Sequence, residues 1–209
     1  MSGIETSSSP TNLFNLMSFL SPVIITFGVL VFSILTGVVG KGVFYIIVLI
    51  FFTMCRLAII YFKRRKTGFP APNPNDICNM GNFLPIENNT YSIFVLCFTF
   101  MYFSFPMFVT NNINFQVLIF FIIYIAFDIL TKFSHKCINL TDINGFIGDL
   151  VGGILLGAGF SALMFHFYKN ILFINEIPSN KETCSMPSKQ TFKCVVYKNG
   201  EVISSTNVQ

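Results

Sequence analysis

Charge is scarce in this chain of 209 residues, and so are the side chains most often used for catalysis. Asp, Glu, Lys and Arg make up 11% of it and there are two histidines and no tryptophan, against 53% apolar residues and 27 phenylalanines. With a mean hydropathy of +0.69, such a composition cannot be hydrated as a soluble domain, so a bilayer must supply much of the solvent. His135 and His166 lie too far apart in sequence to suggest a metal site, and no cofactor or metal is expected. The first eleven residues are polar and Ser-rich, with Glu5 and no basic side chain. They lack the charged start of a secretory signal, so the first apolar run is expected to stay as an anchor. Gly3 lies one place too late for myristoylation, and no terminal prenylation box is present. Internal repeats, paired broken helices, a nucleotide loop, a zinc-site pattern and a basic nucleic-acid surface are also missing. Their absence argues against a repeat-built transporter, a nucleotide-driven machine and a nucleic-acid partner.

What is present is a series of long apolar runs. A hydrocarbon core of roughly 30 Å takes about 20 helical residues at about 1.5 Å each. Runs of that length fit at 14–39, 43–62, 91–109, 115–133 and 146–167. The expected fold is all-α, a polytopic transmembrane bundle of about five spans. A polar N-terminal tail covers 1–13, the helical domain covers 14–167 with a Pro-rich loop at 63–90, and an extramembrane tail covers 168–209. The first run is overlong and holds Pro22, which predicts an interfacial turn near Leu13 to Leu20 and then a span from about Val23. The loop carries Pro70, Pro72, Pro74 and Pro85, too irregular for a helix and long enough to cover helix ends or meet a partner.

Five spans put the termini on opposite faces. Lys63, Arg64, Arg65, Lys66, Lys132 and Lys136 share the N-terminal face, whereas Lys41, Lys169 and Lys181 lie on the other. Six against three predicts a cytoplasmic N-terminus and an exoplasmic or lumenal C-terminus. The sequons Asn88-Asn89-Thr90 and Asn139-Leu140-Thr141 then fall on the cytoplasmic side and are expected to carry no sugar. Cys184 and Cys194 share the C-terminal tail, where an oxidising compartment would favour a disulfide; two free thiols are the equal alternative. Asn199-Gly200 stands between two β-prone stretches, Phe192 to Tyr197 and Glu201 to Ile203, the signature of a tight hairpin.

Ions inside spans are costly and usually face protein or water. Arg56, Asp128 and Asp149 lie at roughly 3 to 9 Å depth in one leaflet, so Arg56 is expected to pair with Asp128, Asp149 or both. Such a group either fixes helix register or lines a polar cavity. In the last run Gly148/Gly152 and Gly153/Gly157 form two consecutive Gly-x-x-x-Gly pairs, with Ser161 and Ala162 beyond. This spacing lets another helix approach to backbone distance, and the last helix is expected to be central, packed against its own chain, with a dimer face as the alternative. His166 reads as an interfacial side chain.

The stretch Asp149-Leu150-Val151-Gly152-Gly153-Ile154-Leu155-Leu156-Gly157 resembles the start of the last core helix in the type 2 phosphatidic acid phosphatase superfamily. Members carry K-x6-R-P, P-S-G-H and S-R-x5-H-x3-D on one membrane face. Here Lys66, Asn73 and Pro74 keep the first spacing with Asn in place of Arg; Asn139, Gly145 and Asp149 keep the third while losing Arg and His. Asn88 to Tyr91 stands where P-S-G-H belongs. The resemblance covers about residues 66 to 160 and implies a membrane phosphatase framework with vestigial phosphate-site positions Lys66, Asn73, Tyr91, Asn139, Gly145 and Asp149.

Phosphoryl transfer by a histidine mechanism needs a nucleophile, an acid and positive charge for the equatorial oxygens. Gly145 cannot attack and Asn73 and Asn139 carry no charge, so no catalytic residue is assigned. The expected function is that of a noncatalytic, phosphatase-like membrane scaffold with an anionic-headgroup site near the basic cluster Lys63, Arg64, Arg65 and Lys66. The alternatives are an active lipid phosphatase with a rearranged site, or a small channel or transporter using Arg56, Asp128 and Asp149. Abundant Phe, Ile and Asn with few Ala resemble the product of an AT-rich genome. They point to a large DNA virus, or to a parasite or low-GC cellular organism. In the viral reading the protein resides in the virion membrane and meets lipids, capsid or other membrane proteins through the 63–90 loop or the C-terminal tail.

Overall fold

A computed structural model of the chain describes residues 17–67, 90–138, 143–174, 176–177, 192–198 and 201–208. Five apolar helices follow one another: α1 Ser21–Leu35, α2 Val39–Thr67, α3 Tyr91–Val109, α4 Phe115–Ser134 and α5 Ile143–Phe167. A 3-10 turn at Lys169–Ile171 comes next, then two strands, β1 Phe192–Lys198 and β2 Glu201–Val208. Four helices, α2 to α5, are long and apolar enough to cross a membrane. The all-α bundle expected from hydropathy is therefore the fold.

The first run departs from its expected bounds. Residues 17–19 are helical, Leu20 is a turn, and α1 then starts with Pro22 in its first turn, where a missing N–H costs nothing. Its 15 residues rise only about 22 Å. With its preceding turn, however, it reaches from Ser18, bonded to Asp128 near the end of α4, to Ser33, whose Oγ accepts from Gly42 N at the start of α2. The second helix begins at Val39 and runs to Thr67, beyond the expected 43–62 at both ends, so the following connection starts at residue 68.

Three helices stop by the same device. Gly37 takes φ +73°, Asn111 +55° and Lys136 +54°. In each case the next N–H reaches back to the last turn: Val38 to Ser33 O, Asn112 to Met107 O and Cys137 to Lys132 O. These are left-handed caps that return the chain on a short connection, which places neighbouring helices antiparallel. The ends of α2 and α4 and the starts of α3 and α5 thus share one face, called here the near face; their other ends make the far face.

The central helix is α3, not α5 as the glycine pattern suggested. Thirteen of its residues are buried, from Ser92 through Met107, while α5 buries only Gly153, Gly157 and Ser161. Those three lie four apart and set one stripe of α5 onto α3. A Cβ on Gly153 would stand 2.6 Å from Phe94 O, and one on Gly157 2.5 Å from Phe98 O. Ser161 Oγ completes the stripe by donating to Tyr102 O at 3.2 Å. Among the described residues nothing lies within 4 Å of a Cβ on Gly148 or Gly152, so there it is the second of the two glycine pairs that packs against a neighbouring helix.

On the other sides α3 meets long side chains. Tyr45 OH lies 2.6 Å from Thr99 Oγ1 and its ring 5.3 Å from that of Tyr102. Phe52 stands 5.4 Å from Phe98. Beyond α5 the chain turns under the far face, where Leu172 and Phe173 are buried and Lys41 Nζ bonds Leu172 O at 2.8 Å and Glu176 Oε1 at 2.7 Å. The two strands pair antiparallel from Lys198↔Glu201 to Phe192↔Val208, with a bulge between Val196 and Tyr197.

Candidate functional site

The near-face ends of the helices bring four charged side chains into the bundle. Arg56 of α2 reaches Asp149 of α5, its Nε donating to Oδ1 and its Nη2 to Oδ2, both at 2.6 Å. This two-pronged geometry is the strongest form of guanidinium–carboxylate contact. Thr90, just before α3, also donates its hydroxyl to Asp149 Oδ2. The guanidinium carbon lies 5.5 Å from the Tyr91 ring centre and 5.7 Å from that of Phe94, within cation–π range. Tyr91 OH in turn stands 3.2 Å from Thr53 Oγ1.

A second ion pair lies within α4. Lys132 Nζ is 3.1 Å from Asp128 Oδ2, four residues earlier on the same helix face. Both are sealed from solvent, at 1% and 0% side-chain exposure. Ser18 donates to Asp128 Oδ1 and Ser92 to Oδ2, each at 2.6 Å. Lys132 also donates to Ser92 Oγ. A buried carboxylate with an ammonium and two hydroxyls around it meets the condition under which an ion can be held away from water.

The start of α3 joins the two groups. Thr90 touches Asp149 and, two residues on, Ser92 touches Asp128 and Lys132. Of the three ions singled out from the sequence, Arg56 and Asp149 come together, while Asp128 has Lys132 and two serines as its partners. Lys132, Ser18, Thr90 and Ser92 were not anticipated. The four-residue spacing of Asp128 and Lys132 is a readable sign of the second pair, but basic residues near span ends also serve topology, and Lys132 was counted there. Nothing local marks Ser18, which meets Asp128 only through the packing of α1.

The phosphatase-like positions are distributed as follows. Lys66 lies in the last turn of α2, Tyr91 at the first position of α3, and Gly145 and Asp149 in the first two turns of α5, all at the near face. Asn73 and Asn139 lie outside the described residues. So do Cys184, and with it the Cys184–Cys194 disulfide, and the greater part of the Pro-rich loop. Cys137, buried just after α4, is disulfide-bonded, whereas Cys55 and Cys97 are free. His135 caps α4 at the near face, and exposed His166 stands at the far end of α5. Among the described residues no three His, Cys, Asp or Glu side chains converge as metal ligands would.

Chemically the cluster is balanced. Two cations face two carboxylates, and Asp149 takes three hydrogen bonds from Arg56 and Thr90. Position 145 has no side chain, and the Asp149 carboxylate is turned to an arginine of α2. No family model matches the chain, and neither a curated protein nor a solved structure does.

Proposed function

We propose that this chain is a noncatalytic, phosphatase-like integral membrane protein whose role is structural. The observation that carries the reading is the use made of Asp149. Its carboxylate is engaged by Arg56 and Thr90 and helps to tie α2, α3 and α5 together at the near face. A hydrolytic site would need that carboxylate to serve a nucleophile, and Gly145 provides none.

The framework would act at two levels. Inside, the ion pairs hold helix ends in register. At the surface, exposed Lys63, Arg65 and Lys136 form a basic rim, in a stretch of sequence that also holds Arg64 and Lys66, able to attract anionic lipid headgroups at about 1 kcal/mol per charge. Membrane lipids are the first partners, and capsid or other membrane proteins follow if the chain serves a virion membrane. That basic rim also supports a cytoplasmic near face and N-terminus. The disulfide at Cys137 pulls the other way, because disulfides persist in oxidising compartments.

The test is phosphate release by the purified protein in liposomes that contain phosphatidic acid or an isoprenyl diphosphate. No release above protein-free vesicles is expected. Turnover that disappears in Asp149→Asn, with the protein still folded, would overturn the proposal in favour of a rearranged phosphatase. Ion flux lost in Asp128→Asn would favour a channel or transporter instead.

A further inference from the structure

In the far-face half of the bundle, a cleft of about 400 Å³ runs between α1 and α4. Ile24, Gly28 and Phe32 form one wall, Phe120 the other and Phe103 of α3 the floor, while Ile177 also lines it from the turn below α5. The polar exception is Asn114, whose Oδ1 is occupied in capping α4 through Val117 N. Volumes of roughly 300 to 1,000 Å³ with apolar linings are the ordinary dimensions of small-molecule sites.

Place and length identify the occupant. Ile24 and Phe120, at 38% and 55% exposure, lie at the rim and belong to the apolar belt that hydrocarbon surrounds once the helices cross a bilayer. The wall from Ile24 to Phe32 rises about 12 Å, against about 15 Å for one leaflet of a hydrocarbon core of about 30 Å. The chain's own segments do not suit the site. Residues 178–191, which follow Ile177, are mostly polar and carry Lys181, Glu182 and Lys189; residues 1–16 precede Met17, which belongs to the opposite face. We infer that the cleft is a binding groove for one acyl chain of a far-leaflet lipid, lying along α1 and α4 with its headgroup at the Asn114 and Ile177 end. Apolar chain in such a groove gains dispersion contacts with both helices that it lacks in loose lipid. The inference rests on the membrane character of the helices and not on the phosphatase-like reading.

Gly28 provides the test, since it lines the groove and, among the described residues, nothing lies within 4 Å of a Cβ added there. The full-length protein is reconstituted in phosphatidylcholine vesicles doped with a phospholipid bearing a diazirine midway along one acyl chain. It is then irradiated and its adducts are mapped by mass spectrometry. Adducts concentrated on the 24–32 and 114–121 segments are expected, and Gly28→Phe should abolish them. Gly159→Phe, on α5 where a Cβ likewise meets nothing, should leave them in place; Gly28→Leu is the smaller plug should the Phe variant fail to fold. Even labelling of all apolar faces, unchanged by either Gly28 variant, would reduce the groove to ordinary lipid contact and sink the inference. Protection of these segments from the lipid probe, with an added bifunctional cross-linker joining two copies of the chain there, would sink it too.

Discussion

At the scale of the residue, the decisive fact is how each buried ion is compensated. Removing one member of a buried pair strands the other, at a cost of about 3 kcal/mol or more. Asp128→Leu and Lys132→Met should each lower the thermal unfolding midpoint in detergent, and the double variant should recover much of the loss. The same experiment separates the two pairs. Arg56→Leu combined with Asp149→Leu should be strongly non-additive, whereas Arg56→Leu with Asp128→Leu should come close to additive, because no direct bond joins those two. Additivity in the Arg56 and Asp149 pair would be incompatible with the 2.6 Å contacts. The ions themselves are visible in the sequence, since any charge in an apolar run stands out. Their common depth also makes a partnership of Arg56 with Asp128 or Asp149 legible, but the choice of Asp149 is not, because two helices intervene between it and Arg56 in the chain.

At the scale of the element, α5 shows what a glycine pattern does and does not say. Gly-x-x-x-Gly spacing announces close helix approach, and two such pairs stand in one helix, offset by about 140° on the helical wheel. Of the two pairs it is Gly153 and Gly157, continued by Ser161, that meets the α3 backbone. Gly153→Ala or Gly157→Ala should force the two backbones apart and reduce the monodisperse fraction in size-exclusion chromatography. Gly148→Ala and Gly152→Ala should leave the elution unchanged, since nothing lies within 4 Å of the added Cβ. Loss of folded protein in the second pair alone would mean that the assigned stripe is wrong. The central place of α3 was hidden for a related reason. Its window is apolar all round, like that of the other spans, and in a bilayer the lipid-facing and protein-facing sides of a helix are equally greasy, so hydropathy does not rank helices by burial.

At the scale of the whole molecule, the question is how many times the chain crosses and which way it faces. Although α1 alone is short, Ser18 and Ser33 connect it to opposite faces of the bundle. Five crossings put the tails in different compartments, so protease added to sealed vesicles should remove an epitope from one terminus and spare the other. Removal of both would leave α1 in the interface. With a cytoplasmic near face, Asn88 and Asn139 should carry no glycan, and digestion with an endoglycosidase should leave the gel mobility unchanged. A mobility shift would put that face in the lumen, alongside the Cys137 disulfide.

Hydropathy, proline, the Asn-Gly turn and the few charges sufficed for the helical membrane class, for four of the helices to within a few residues and for the paired strands near the C-terminus, because these features depend on local chemistry and on the thickness of a bilayer. The choice of Asp149 as the partner of Arg56, the serines around Asp128, the stripe of α5 that packs, the central position of α3 and the lateral groove between α1 and α4 required the folded chain. Each of them depends on which helix stands beside which, and among helices that are uniformly apolar that choice is made by shape and by hydrogen bonds between residues distant in sequence, which no window along the chain contains.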